Sequence, residues 1–184
     1  MKKVLIPIAD GIEDVETVTV IDLLRRAHIH VTVASIYDNK LKITAARKTK
    51  IEADILLKYV TDEEFDMIAI PGGLPGAEYL RDSELLTSLL IKQNEQGKWY
   101  GAICASPVFV LQHHGLLDGK VATCFPGERE NLNNNSKADE KVVVDGNCIT
   151  SQALGTAIDF SLEIIKQLEG DDASKAVAKA IVYN

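Results

Sequence analysis

Several things are scarce in this chain of 184 residues, and each scarcity excludes something. There are only three cysteines, Cys104, Cys124 and Cys148, an odd number at wide spacing. That argues against a disulfide framework and suits a reducing compartment, so a cytoplasmic location is expected. The close cysteine pairs of a structural zinc site are missing, and no metal or other cofactor is called for. Basic charge is short as well: 20 Lys and Arg stand against 27 Asp and Glu, a formal charge of −7. With no basic run, a direct nucleic-acid groove is not expected. No apolar run approaches the roughly 20 residues that span a bilayer, so no membrane partner is expected. Met1 to Ile8 opens as a secretory leader does, but Asp10, Glu13 and Asp14 interrupt it; it reads instead as the first strand of a cytoplasmic protein. Histidine is the last scarcity. His28 and His30 lie between the first helix and second strand, and His113 and His114 lie about a dozen Å along the helix expected after Cys104. None is a local partner for a cysteine protease dyad.

What the chain does have is an alternating pattern. Hydrophobic residues make up 46%, as in a globular protein, and the length suits a single domain over residues 1–184. Strands are expected at 3–8, 29–36, 66–70, 99–103, 120–124 and 148–151, with short hairpin or edge strands at 41–45 and 141–144. Helices are expected at 13–27, 83–96, 105–114, 155–168 and 172–181. The alternation predicts an α/β fold with a mainly parallel sheet and helices on both faces. Ligands in such sheets sit beyond the carboxyl ends of the strands, where the strand order reverses. Asp10 with Glu13 reads as a capping box for the first helix, and Gly115 as the stop of the helix after Cys104. Asn131–Ser136 reads as a solvated loop and Asp62–Asp66 as a surface connection.

Three strand ends carry candidate chemistry. Residues 99–103 form an apolar strand that ends at Cys104 and turns into a helix with Pro107 in its first turn. Small residues two before (Ala102) and two after (Ser106) give the spacing of a nucleophile elbow. A thiol there would meet the positive end of a helix and be acidified. The N–H of Ala105 would be one oxyanion donor. Pro71-Gly72-Gly73, after the strand ending at Ile70, is ordinary turn chemistry taken alone, but it can also expose backbone donors. Glu16 shares a helical stripe with Ile12, Val15, Thr19, Val20 and Leu23. A carboxyl on an apolar stripe either reaches solvent or is desolvated with a raised pKa. Cys124 and Cys148 read as core residues.

Together these motifs resemble the ThiJ/PfpI superfamily, in particular its parkinsonism-associated deglycase branch and the bacterial YajL-like members. The resemblance rests on Gly11-Ile12-Glu13-Asp14-Val15-Glu16-Thr17, Pro71-Gly72-Gly73, Ala102-Ile103-Cys104-Ala105, and Thr150-Ser151-Gln152 through Gly155-Thr156-Ala157. It implies a flavodoxin-like three-layer sandwich, one class I glutamine amidotransferase-like domain, and a homodimer. It implies that Cys104 is the reactive cysteine and Glu16 its protonated partner, that Gly73 and Ala105 donate backbone N–H groups, and that Arg47 borders the site from the dimer partner. Gly72 and Phe125 would join Arg47 in contacting substrate. Peptidase-like members carry a histidine directly after the cysteine, and Ala105 in that place argues against proteolysis. Phe125 replaces a histidine that some deglycase-branch members carry, and Ala153-Leu154-Gly155 replaces a more usual Gly-Pro-Gly. The activity so implied is cofactor-free thiol chemistry on α-oxoaldehydes or their adducts: a glutathione-independent glyoxalase, or a deglycase of glycated protein or nucleotide. A redox-sensing, chaperone-like protein acting through oxidation of Cys104 is the second reading, and an amidase or peptidase the third.

Overall fold

The computed structural model describes residues 1–183. Its centre is a seven-stranded sheet built from β1 (Lys3–Ile8), β2 (His30–Ser35), β5 (Ile55–Leu56), β6 (Met67–Ile70), β7 (Trp99–Ile103), β8 (Val142–Asp145) and β9 (Cys148–Ser151). The spatial order is β5-β2-β1-β6-β7-β9-β8. All neighbours run parallel except the edge strand β8, which pairs antiparallel with β9, Val143 opposite Thr150. β3 (Lys42–Thr44) and β4 (Lys50–Glu52) form a separate antiparallel hairpin, Ile43 opposite Ile51. β1, β6 and β7 are apolar along most of their lengths because both faces of a parallel sheet are covered. On one face α1 (Asp14–Arg26) packs against α4 (Ala157–Glu169), and α5 (Asp171–Ala180) packs on α4. α2 (Gly76–Arg81) and α3 (Glu84–Glu95), with the turns at 107–112, cover the other. This is the flavodoxin-like α/β architecture that the sequence predicts.

The chain adds β2 and β5 to one side of β1, then crosses to add β6, β7 and β9 on the other. The order therefore reverses between β1 and β6, and the carboxyl ends of those strands frame a crevice. Residues 9–13, 71–73 and 104 all leave their strands at that crevice.

Four local expectations need correction. Residues 120–124 are not a strand: the Val121 N–H donates to the Asp145 carboxylate (2.8 Å) and the Thr123 N–H to the Thr150 hydroxyl (3.0 Å). Side chains there take the place of a backbone ladder. The helix expected at 105–114 is a π-helical stretch at Pro107–Gln112. The cap of α1 is Glu13, whose carboxylate accepts the Glu16 N–H at 2.7 Å, while Asp10 accepts the Thr44 N–H of the hairpin. The stripe of α1 also differs: Glu16, Thr17, Val20, Leu23 and Leu24 face inward, but Val15 is exposed. The two-residue β5, and α2 beginning at Pro75-Gly76, were not anticipated. No helix among the described residues is long and apolar enough to cross a membrane.

Candidate active site

Cys104 follows directly on β7, with φ of +66°. A non-glycine residue in the left-handed region costs on the order of 1–3 kcal/mol, so its surroundings must impose it. They do so from both sides of its backbone. The Cys104 N–H donates to Ser151 O (3.1 Å), and the Cys104 carbonyl accepts the Phe125 N–H (2.7 Å). The side chain is lifted into the crevice as at a nucleophile elbow, and it stays partly exposed while Cys124 and Cys148 are buried.

Glu16 approaches from the first turn of α1 and is 1% exposed. Its Oε2 accepts the Gly72 N–H at 3.0 Å. Its Oε1 is enclosed without a hydrogen bond of ordinary geometry; the Cys104 thiol and the Leu154 N–H act on the carboxyl more loosely. The glycines between them leave no space for a side chain. A Cβ on Gly72 would lie 2.4 Å from the Cys104 Cβ and 2.8 Å from Glu16 Oε2. Gly73, at φ of +92°, lies against the Glu13 backbone, where a Cβ would come within 2.3 Å of its nitrogen. Backbone approach this close is what glycine permits.

Burial sets the electrostatics. It is the largest influence on Glu16, lifting its carboxyl from 4.5 to about 7; the Glu13 charge adds to this, while Cys104 and the N–H groups of Gly72 and Leu154 oppose it. Burial also dominates at Cys104, and with the Glu16 charge beside it the thiol is pushed up to about 12, against the opposing pull of the Gly73 and Ala105 N–H groups. This reverses the acidification expected from the sequence. No regular α-helix begins at the elbow, and the nearby carboxylate repels a second negative charge. Between about pH 7 and about pH 12 the two groups therefore hold one negative charge between them. Protonating Glu16 removes the repulsion and leaves the two backbone donors to favour the thiolate.

The structure thus brings Cys104, Glu16, Gly72, Gly73 and Ala105 together. Phe125 joins them through its backbone, with its ring half exposed. Arg47 sits on the exposed β3–β4 turn; its own N–H is held by Asp14 at 2.8 Å, and its guanidinium makes no hydrogen bond or ion pair among the described residues. Two contributors carried no signal in the sequence, the Leu154 N–H and the Ser106 hydroxyl, which donates to Pro71 O at 2.5 Å. A hollow of about 520 Å³ beside Arg25, His30 and Asp54 holds none of this chemistry.

A reversed strand order with a strained cysteine at the crevice and a buried carboxyl beside it defines a cysteine-elbow α/β protein. The chain belongs to the DJ-1/PfpI family, whose profile matches residues 2–167. It is 46% identical over 178 residues to DJ-1 homolog B of Arabidopsis thaliana, covering 97% of this chain but 40% of that protein, so it spans about two fifths of that relative. It is 33% identical over 180 residues to the glutathione-independent glyoxalase DJR-1.2 of Caenorhabditis elegans, covering 97% and 94% of the two chains. Oxidized DJ-1 of Toxoplasma gondii superposes with a TM-score of 0.96 at 40% identity, covering 100% of this chain and 99% of that one.

Proposed function

We propose that this chain is a single-domain, cofactor-free cysteine enzyme acting on small α-oxoaldehydes or their adducts with protein or nucleotide, in defence against carbonyl and oxidative stress. The observation that carries this reading is the pairing of a strained, accessible Cys104 with a desolvated Glu16 held by the Gly72 N–H. The relative named a glutathione-independent glyoxalase supports it.

Cys104 is the nucleophile. Ionised Glu16 takes the thiol proton as sulfur attacks the aldehyde carbon, and a hemithioacetal forms. The N–H groups of Gly73 and Ala105, which face the sulfur in the free protein, receive the developing oxyanion. Glu16 then returns the proton to that oxygen. Moving the aldehyde C–H proton to the neighbouring carbonyl carbon, and the hemithioacetal hydroxyl proton to that carbonyl's oxygen, oxidises one carbon and reduces the other, giving a 2-hydroxy thioester. Water releases the 2-hydroxy acid and restores the thiol. The redox change is internal to the substrate, so the sequence of steps needs no electron carrier. Arg47, Gly72 and Phe125 are assigned to substrate contact. A homodimer is part of the proposal: Val15 and Val18 of α1 and Val182 beyond α5 are exposed apolar residues that a second copy would cover. The test is methylglyoxal consumption without glutathione. One equivalent of iodoacetamide, located on Cys104 by mass spectrometry, is expected to stop it; undiminished consumption overturns the reading.

The second reading, a redox sensor, is favoured by the contrast between a partly exposed Cys104 and two buried thiols. Mild peroxide is expected to add oxygen at Cys104 before Cys124 or Cys148. Equal oxidation of all three, followed by peptide mass spectrometry, would rule a sensor out.

A further inference from the structure

Two consecutive peptide units in the loop after β6 point into the site, and each is gripped at its other end. The Gly72–Gly73 unit directs its N–H at the Cys104 sulfur, and its carbonyl accepts the Glu13 N–H at 2.9 Å. The Pro71–Gly72 unit donates its N–H to Glu16 Oε2 at 3.0 Å, and its carbonyl accepts the Ser106 hydroxyl at 2.5 Å. Ser106 is wholly buried two residues beyond the nucleophile, and this is its only hydrogen bond as a side chain among the described residues.

We propose that Ser106 is a positioning residue: its hydroxyl fixes the plane of the Pro71–Gly72 peptide and polarises it, so that the peptide N–H is aimed at the Glu16 carboxylate. Hydrogen bonds arranged in series across one amide reinforce one another, because drawing electron density toward the oxygen makes the N–H a better donor. The chain runs from Ser106 Oγ–H to Pro71 O, then from Gly72 N–H to Glu16 Oε2, and ends at the acid that exchanges a proton with Cys104. A hydroxyl that looks like a small-residue requirement of the elbow therefore helps decide how readily Glu16 ionises. The titratable groups acting on Glu16 are Cys104 at the elbow and Glu13 at the head of its own helix. The loops after β6 and β9 contribute the uncharged N–H groups of Gly72 and Leu154. Losing the hydroxyl weakens a donor to the anion and leaves the protonated form untouched, so ionisation must move to higher pH.

The role of Ser106 in turnover rests on the enzyme reading above, but its effect on ionisation does not, and the experiment separates them. The alkylation rate of Cys104 by iodoacetamide, followed by peptide mass spectrometry on the full chain from pH 5 to 9, reports loss of the first proton from the Cys104–Glu16 pair. In Ser106→Ala and Ser106→Gly the midpoint is expected to rise by at least about half a unit. Ser106→Thr keeps the hydroxyl and is expected to keep the wild-type midpoint, whatever happens to its Tm. Lowered Tm in the alanine and glycine variants with an unmoved midpoint would mean a purely structural serine and overturn the proposal. An equal shift in Ser106→Thr, or a wild-type profile without an inflection, overturns it too. Failure of the wild type to consume methylglyoxal would instead remove the enzyme reading and leave this titration to judge Ser106.

Discussion

Replacing Cys104 with serine is expected to lower methylglyoxal consumption at least about a thousandfold, a barrier increase on the order of 4 kcal/mol. The serine hydroxyl is isosteric enough to occupy the elbow, and the two backbone hydrogen bonds that impose φ of +66° involve only main-chain atoms. The fold should therefore survive, with Tm close to wild type. What disappears is nucleophilicity. A carboxyl ionising at about 7 can exchange a proton with a thiol, but it is a weak base toward an alcohol. Sulfur also attacks a carbonyl carbon far more readily than oxygen at the same protonation cost. Consumption within tenfold of wild type, measured with Tm in parallel, would remove Cys104 from the chemistry. The same variant distinguishes the readings of function: a sensor would lose its peroxide-modified peptide with no turnover to lose.

The sequence carries the architecture because periodicity and burial agree over long segments. β1, β6, β7 and β9 are read correctly to within a residue: the first three are apolar runs covered on both faces, and β9, though half hydroxyl residues, is buried throughout. Short or polar elements are harder to see. β4 is Lys-Ile-Glu and β5 two residues long, and neither offers enough alternation to distinguish a strand from a turn. The strand expected at 120–124 fails for a different reason. Ala122 and Cys124 are buried, but the N–H groups of Val121 and Thr123 find Asp145 and Thr150 side chains that nothing local points to.

The site divides the same way. Cys104 and Glu16 stand out locally, one through elbow spacing and the other as an acid on an apolar stripe. The direction of the thiol shift does not, because desolvation and the Glu16 charge arise only when α1, the β6 loop and the elbow converge. The Asp10–Glu13 pair shows the limit at short range too. Both are acids near a helix start, and only the path of the β3–β4 hairpin decides that Asp10 holds Thr44 and leaves the cap to Glu13.

Glu16→Gln is expected to reduce turnover by about 10²–10⁴-fold, the usual worth of a positioned acid or base, while making the protein more resistant to unfolding at alkaline pH. The two effects have one origin. Glu16 is held at about 7 in the folded protein against 4.5 for the free carboxyl. Between those values the folded state binds the proton and the unfolded state has released it, so stability falls as pH rises through the window. At 1.36 kcal/mol per unit the cost above pH 7 is about 3 kcal/mol. Glutamine is neutral throughout: its carbonyl can accept the Gly72 N–H, and it carries no charge to desolvate. The other shifted groups stay out of the way. Asp10, Asp14 and Asp66 are lowered below the usual carboxylate range and contribute stability that is lost only as acid protonates them, and Cys104 is raised toward about 12. Denaturant unfolding at pH 5 and pH 8 checks the argument. The variant should gain on wild type between the two by about 2.5 kcal/mol, because at pH 5 the unfolded carboxyl is already largely ionised. An equal pH dependence in both proteins would mean that Glu16 is already ionised at pH 5 and is not the buried acid of this site.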